Sequence, residues 1–356
     1  MRIAIFDVSH WHFPLYVPAL QDPGIEVVGI SDTESFSGPE MAERLKCKLY
    51  ASNEDLLGEG FDFALVLSRH SEMGWLAERL IDRRTPFLIE KPCGLSLQQV
   101  RRIRRLSEER GVYVTVPFIL RMSELAKRLS PAEGFAPEGY RHLSFRFIAG
   151  PINRYERSGC NWMLDQRLAG GGSMLNLGVH FVDLITHLTN SRIMEVSAQI
   201  HTYRPDVSVE EQAVYTCRTA TGQVAVIETG YLYPSTAEDQ RDFSFAISHT
   251  GSYVRGYADQ LFIKSPGQVR GRGVPVVYDT DMFYPPFLRR SLSDLSQGRA
   301  PIVGLREAEH AFAVVEAGYL SASNSGVRQP VEAAWIDRVK SANRQCVADA
   351  TGTRSE

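Results

Sequence analysis

Through its first 117 residues the chain alternates short, near-continuously apolar runs with longer stretches in which apolar residues recur every three or four positions. Parallel strands buried on both faces, each followed by a covering helix, satisfy the two patterns in that order. The runs IAIF, EVVGI, FALVL and FLI, with a last one before Pro117, predict strands over Arg2–Phe6, Glu26–Ser31, 63–68, 86–89 and 112–116. Helices are predicted over 15–21, 39–45, 72–83 and Leu97–Arg110, where Leu, Val and Ile face one side and Arg and Glu the other. That is a doubly wound parallel sheet. From about residue 141 the period changes to two, in HLSFRFI, MEVSAQIHTY, QAVYTCR, QVAVIETGYLY and DFSFAISHT, the pattern of a large, mostly antiparallel sheet. A helix over 173–188 and two late ones, over 286–296 and Leu305–Ser323, complete an α+β unit. The expected division is 1–118 for the first domain, 119–335 for the second and 336–356 for a polar tail, with a cleft between the domains.

A length of 356 residues agrees with two domains. With 39 basic against 42 acidic residues the net charge is -3, which gives nucleic acid nothing to hold. The five cysteines contain no C-x-x-C pair, so neither a disulfide framework nor a zinc knuckle is expected. The first strand starts at once without a leader, and no uninterrupted apolar stretch approaches the roughly 18–20 residues of a membrane span. A reducing cytoplasm is the expected compartment, with no membrane partner.

A dinucleotide-binding Rossmann fold carries G-x-G-x-x-G after its first strand, because glycine lets backbone approach a pyrophosphate. In FDVSHWH those positions hold Asp7, Ser9 and His12. Asp7 is expected to bring negative charge toward a diphosphate. His10 and His12 would offset it if protonated; alternatively they and Trp11 simply fill the turn. Asp32 ends the second strand, where a carboxylate accepts from ribose hydroxyls and repels a 2′-phosphate, although a plain turn or cap residue is the competing reading. No arginine follows within Thr33–Glu34–Ser35, so NAD is favoured over NADP.

The strand ending at Ile89 runs into Glu90–Lys91–Pro92 and places Lys91 at the carboxyl edge of a parallel sheet, where ligands of open α/β folds bind. Pro92 restricts the lysine's backbone, and a solvated surface lysine is the alternative. Farther on, Gly170–Gly171–Gly172 precedes a helix in which Asn176 and His180, four apart, share a face.

E-K-P after that strand, followed by G-G-G-x-x-x-x-x-G-x-H opening a helix of a sheet domain, resembles the glucose-fructose oxidoreductase, inositol dehydrogenase and MocA-like family (Gfo/Idh/MocA) from Arg2 to about Val331. Phe118 and Arg121 in VPFILR, Trp162, Asp165, Glu210 and the stretch AEHAFAVVEAGYLSASNSGV add to the likeness. The resemblance implies hydride transfer between NAD and a hydroxyl carbon of a sugar, inositol or related polyol, with Lys91 and His180 as the acid/base pair and Asn176 beside them. It places cofactor contacts at Asp7, Ser9, His10, Trp11, His12, Asp32, Ser68, Glu90 and Lys91. Substrate contacts would fall on Lys91, Arg121, Trp162, Asn176 and His180, and a homodimer or homotetramer would form through the second domain's sheet. Three departures stand out: the missing glycines, Met73 and Ser68–Arg69 in place of the family's usual residues, and Asn176 where the helix usually carries aspartate. An NAD-assisted glycoside hydrolase and a non-catalytic ligand-binding relative are the alternatives.

Asparagine keeps a hydrogen-bonding side chain but removes the charge that would hold Lys91 protonated, so a lowered lysine pKa is expected. His180, Asp183 and His187 share a helical side without a second ligand cluster, and no metal is expected. Tyr231, Tyr233, Tyr284 and Trp162 offer rings for stacking or for the core. Arg121, Arg154, Arg157 and Arg167 offer positive charge for an anion or for solvent.

Overall fold

The computed structural model describes residues 1–331 except 235, 237–239, 258, 270 and 278. The tail expected at 336–356 lies outside the described residues. The first domain runs β1 (Arg2–Phe6), α1 (Phe13–Leu20), β2 (Glu26–Ser31), α2 (Gly38–Leu45), β3 (Lys48–Tyr50), α3 (Asn53–Leu57), β4 (Phe63–Val66), α4 (His70–Asp82), β5 (Phe87–Ile89), α5 (Leu97–Arg110) and β6 (Val114–Thr115). Its strands pair in parallel in the order β3-β2-β1-β4-β5-β6. Ile3 to Phe6, Phe63 to Val66 and Phe87 to Ile89 are wholly inaccessible, which is why these segments read as unbroken apolar runs. Each such Leu, Ile or Phe contributes about 1.5–3 kcal/mol by leaving water. Helix α5 begins where Ser96 accepts from the Gln99 N–H and ends at Gly111 in a left-handed conformation. The strand order reverses between β1 and β4, and the crevice beyond their carboxyl ends is where such folds bind ligands.

The second domain adds α6 (Glu124–Arg128), β7 (Tyr140–Ala149), α7 (Asn153–Arg157), α8 (Gln166–Ala169), α9 (Val179–Thr189), β8 (Ile193–His201), β9 (Gln212–Thr219), β10 (Val224–Gly230), β11 (Arg241–His249), β12 (Ser252–Tyr257), β13 (Gln260–Lys264), β14 (Arg272–Pro275), α10 (Tyr284–Ser296), α11 (Leu305–Ser323) and β15 (Gln329–Pro330). Among the described residues the strand order is β14-β13-β12-β11-β7-β10-β9-β8-β15. The pairing is antiparallel except for β7 with β10, a parallel central pair that alternation alone does not reveal. Phe145 and Phe147 of β7 and Phe243 of β11 point to one face, where Phe181 of α9 stacks on Phe145 at 5.3 Å and on Phe243 at 5.8 Å. These rings pin α9 to the sheet. The opposite face leaves Val214, Thr216, Arg218, Tyr253, Arg255 and Tyr257 exposed.

The two late helices, which sequence order assigns to the second domain, return to the first: α10 packs on α1, and α11 lies against both α5 and β8. The Glu316 carboxylate on α11 accepts from the Leu97 N–H at the start of α5. The run Gln166–Thr189 is apolar enough by composition to span a bilayer, but 83% of its most apolar window is buried inside this fold, as a core helix requires.

Candidate active site

At the end of β1 the chain makes its first turn with Asp7 at φ +66°, the left-handed conformation that the first glycine of the fingerprint usually supplies. An aspartate is tolerated there because its side chain is satisfied locally. Its carboxylate accepts from the Thr33 N–H and hydroxyl at 2.9 and 2.7 Å and from Asn53 Nδ2 at 2.8 Å. These donors hold the carboxylate in place and turn it toward Thr33 and Asn53, while its negative charge stays in the first turn. The expected offset by His10 and His12 is corrected. Both are buried, and burial first, with the nearby Lys91 charge acting in the same direction, drives their pKa values well below 6.5, so both rings are neutral. His10 Nδ1 accepts from the His12 N–H, and Trp162 lies beside His10 and edge-on to His70. Trp162 thus packs over the first turn.

Ser9 Oγ lies 3.1 Å from Ser37 Oγ and accepts from the Ser37 N–H. Asp32 is seen in its capping role, with one oxygen left over. Its Oδ2 caps α2 by accepting from the N–H groups of Ser37 and Gly38, while Oδ1 is buried with no partner among the described residues. Trp11 Nε1 is likewise buried and unpartnered. An unspent acceptor at the end of β2 and an unspent donor in the first turn fit the ribose hydroxyls and polar groups of a dinucleotide. Arg69, after β4, is paired with Glu34, after β2, so its charge is spent across the mouth of the crevice. With Asp32 and Glu34 on that rim, a 2′-phosphate would meet carboxylates rather than a free cation. Ser68 is buried nearby, 3.4 Å from Asn53 Nδ2.

Lys91 follows β5 and is 2% exposed. Its Nζ donates to the Asn176 backbone carbonyl at 3.0 Å and to Asn176 Oδ1. Burial pulls the ammonium down to about 8, against the pull of Glu90, whose negative charge opposes the shift. Glu90 Oε1 accepts from Tyr16 at 2.6 Å, and Oε2 stands 3.3 Å from His12 Nδ1, out of line for a hydrogen bond. His12 in turn lies 3.1 Å from the Tyr284 hydroxyl at the start of α10.

Residues 174–178 form a π-turn, and the α-helix begins only at Val179. The helix expected over 173–188 is present and unbroken, with the wider π winding in its first turns as the added finding. The turn is fixed from β9's side: Glu210 accepts from the Gly172 and Met174 N–H groups at 2.7 and 2.9 Å and from the Tyr319 hydroxyl at 2.9 Å. A Cβ on Gly172 would lie 2.0 Å from the Glu210 carbonyl, so only glycine allows this approach. Asn176 Nδ2 donates to Tyr155 at 2.6 Å and Tyr231 at 3.1 Å, while Oδ1 faces the Lys91 ammonium, a donor that needs an acceptor there. His180 is buried enough that its pKa falls well below 6.5, with Lys91's charge the next cause. Its Nδ1 has no partner among the described residues.

Lys91, Asn176 and His180 line one cavity of about 300 Å³, together with Trp11, His12, Arg154, Tyr155, Arg241, Asp281 and Tyr284. Arg121 is not in that wall. It forms a bidentate pair with Asp183 at 2.7 and 2.8 Å and reaches the Ile302 carbonyl, so the expected substrate contact is corrected to a domain brace. Asp183, one of the three residues weighed as metal ligands, is consumed by the same pair. Tyr155, Arg241 and Asp281 carried no signal in the sequence, since each becomes notable only when distant segments meet.

Residues 10–118 match the oxidoreductase family with an NAD-binding Rossmann fold, and residues 145–253 match the GFO/IDH/MocA C-terminal domain. Oxidoreductase cns1 of Cordyceps militaris is 25% identical over 187 residues, which are 51% of this chain and 23% of that protein. The chain therefore spans less than a quarter of that relative's length. The WlbA dehydrogenase of Bordetella pertussis, solved with NADH and UDP-GlcNAcA, superposes with a TM-score of 0.79 at 19% identity, over 93% of this chain and 97% of that one. An oxidoreductase of Agrobacterium radiobacter, solved with NAD+, L-tartaric acid and magnesium, gives 0.80 at 16% identity, over 94% and 99%. Levoglucosan dehydrogenase, solved with NADH and levoglucosan, gives 0.78 at 14% identity, over 93% and 99%. These structures share the fold. With both of its domains matched, the chain belongs to the GFO/IDH/MocA family of oxidoreductases, and its first domain is that family's NAD-binding Rossmann domain.

Proposed function

We propose that the protein oxidises a secondary hydroxyl of a sugar or polyol with NAD, Lys91 taking the hydroxyl proton and His180 hydrogen-bonding the same oxygen. The observation that carries this reading is a buried amine, held near pKa 8, facing one cavity with a neutral imidazole. Asp32, Trp11 and the first turn would hold the dinucleotide, which when bound supplies the hydride acceptor. The chain's own work is the proton. A neutral amine has two N–H bonds and one lone pair; Asn176 offers two acceptors, its carbonyl and Oδ1, so both N–H bonds can be spent on it. The lone pair is then left for the cavity. A general base near ambient pH suits this work, and such a group typically contributes about 10²–10⁴-fold. His180 remains uncharged throughout, so it orders the hydroxyl without competing for positive charge.

The sugar and NADH bound by the levoglucosan and WlbA enzymes support the choice of substrate class. A panel of polyols, aldoses and glycosides is to be incubated with NAD or NADP and followed at the NADH absorbance band. Turnover with NAD over NADP is expected for at least one alcohol, and Lys91→Met is expected to lower kcat by about 100-fold or more. Unchanged turnover in Lys91→Met, or no fluorescence change when NADH is titrated into the wild type, would refute the reading.

A further inference from the structure

Among the described residues, five charged side chains set the charge of the cavity. Lys91, Arg154 and Arg241 line it on the positive side. Asp281 lines it on the negative side, and Glu90 lies next to Lys91. Arg241 is taken by the Thr280 hydroxyl at 3.1 Å and the Asp281 carboxylate at 3.2 Å. Lys91 has Glu90 as its nearby opposite charge. Among the described residues Arg154 is the lining cation without a paired carboxylate, although the charge of Asp281 acts on it as well. Of its five N–H donors, one Nη2 bond goes to the Tyr155 hydroxyl at 2.7 Å, while Nε is buried without a partner among the described residues.

The guanidinium is nonetheless held firmly. It lies over the rings of Tyr155, Tyr231 and Trp11 at 4.7, 5.2 and 5.5 Å. Flat aromatic faces fix a guanidinium while leaving its in-plane donors unspent. The Tyr155 hydroxyl that receives Arg154 also receives Asn176 Nδ2, which ties the arginine through two hydrogen bonds to the residue that orients Lys91. A guanidinium on the cavity wall with a buried, unspent Nε–H and, among the described residues, no carboxylate paired to it, the charge of Asp281 acting on it from the same wall, matches a carboxylate brought in by the ligand.

We propose that the substrate is an anionic sugar derivative, a uronate or aldonate of monosaccharide size, whose carboxylate pairs with Arg154 while a hydroxyl elsewhere on the ring or chain faces Lys91. A cavity of about 300 Å³ lies at the small end of ligand pockets, which suits one sugar unit. The inference rests on the dehydrogenase reading for its reaction, but the carboxylate's binding can be measured without turnover.

The test pairs D-glucuronate with D-glucose, D-galacturonate with D-galactose and D-gluconate with D-glucitol. It uses the full chain with NAD for rates and with NADH for calorimetric binding, in wild type, Arg154→Gln and Arg154→Lys. At least one acid is expected to exceed its neutral partner about tenfold in kcat/KM. Arg154→Gln is expected to shrink that acid-to-neutral ratio by about thirtyfold or more, and Arg154→Lys to restore part of it. Neutral partners turned over in preference to every acid would overturn the inference and leave the dehydrogenase reading intact. Binding of an acid that is lost in Arg154→Gln, with no NADH formed from any compound, would uphold the carboxylate clamp and overturn the dehydrogenase reading. Absence of both binding and turnover for every acid would likewise overturn the inference.

Discussion

A neutral amine accepts only where its lone pair points, and at position 176 that direction is set by an asparagine. The Lys91 ammonium, pulled down to about 8 by burial, gains its base form as pH rises through that value. The oxidation rate is therefore expected to climb about tenfold per pH unit below about 8 and to level above it. Asn176→Asp would put a carboxylate against the ammonium, stabilise the protonated form and raise its pKa. The ascending limb should then move to higher pH by about one unit, with about a tenfold lower rate at pH 7. An unmoved limb in kcat/KM profiles would contradict the role of Lys91. That Lys91 and His180 meet at one cavity could be read from the sequence because each sits in a compact motif. Arg121 could not be read correctly. The carboxylate that claims it lies 62 residues on, and nothing local distinguishes a braced arginine from a free one.

At the scale of an element, the π-turn decides where Asn176 sits, and Glu210 decides whether the turn forms. Both carboxylate oxygens are used, Oε2 by the Gly172 N–H and Oε1 by the Met174 N–H and Tyr319. Glu210→Gln replaces one acceptor with an amide NH₂ that must face a donor. The expected cost is about 1–3 kcal/mol in urea unfolding, together with a fall in kcat as Asn176 loses its place. Wild-type stability in the variant would show that the turn holds by itself. Hydrophobic period marks 173–188 as helical but cannot tell a π-turn from an α-turn, because its clamp, Glu210, comes from the loop before a later strand. The short β3 and α3 escaped notice for another reason: three and five residues are too few to show any period.

Across the whole molecule, the change from a 3.6-residue to a two-residue period made both domains visible, but not the return of α10 and α11 to the first. Arg289 pairs with Asp22 at 2.5 and 2.8 Å, Glu309 with Arg101 at 2.8 Å and with Arg104, and the Val116 N–H donates to the Val303 carbonyl at 3.1 Å. Such contacts depend on a late segment meeting an early one, which no local pattern encodes. Two domains so joined are expected to unfold together. Denaturation followed by tryptophan fluorescence and by far-ultraviolet circular dichroism should give coincident midpoints, and two separated transitions would show that the late helices do not couple the halves.

The rings beneath Arg154 come from the first turn, from α7 and from the residue after β10, stretches remote from one another in the chain. Moving residues 153–157 alone into a relative would transplant an arginine without its supports. Altered selectivity in this scaffold would have to be engineered, and inherited, as a coordinated set of changes in both domains rather than as an exchangeable loop.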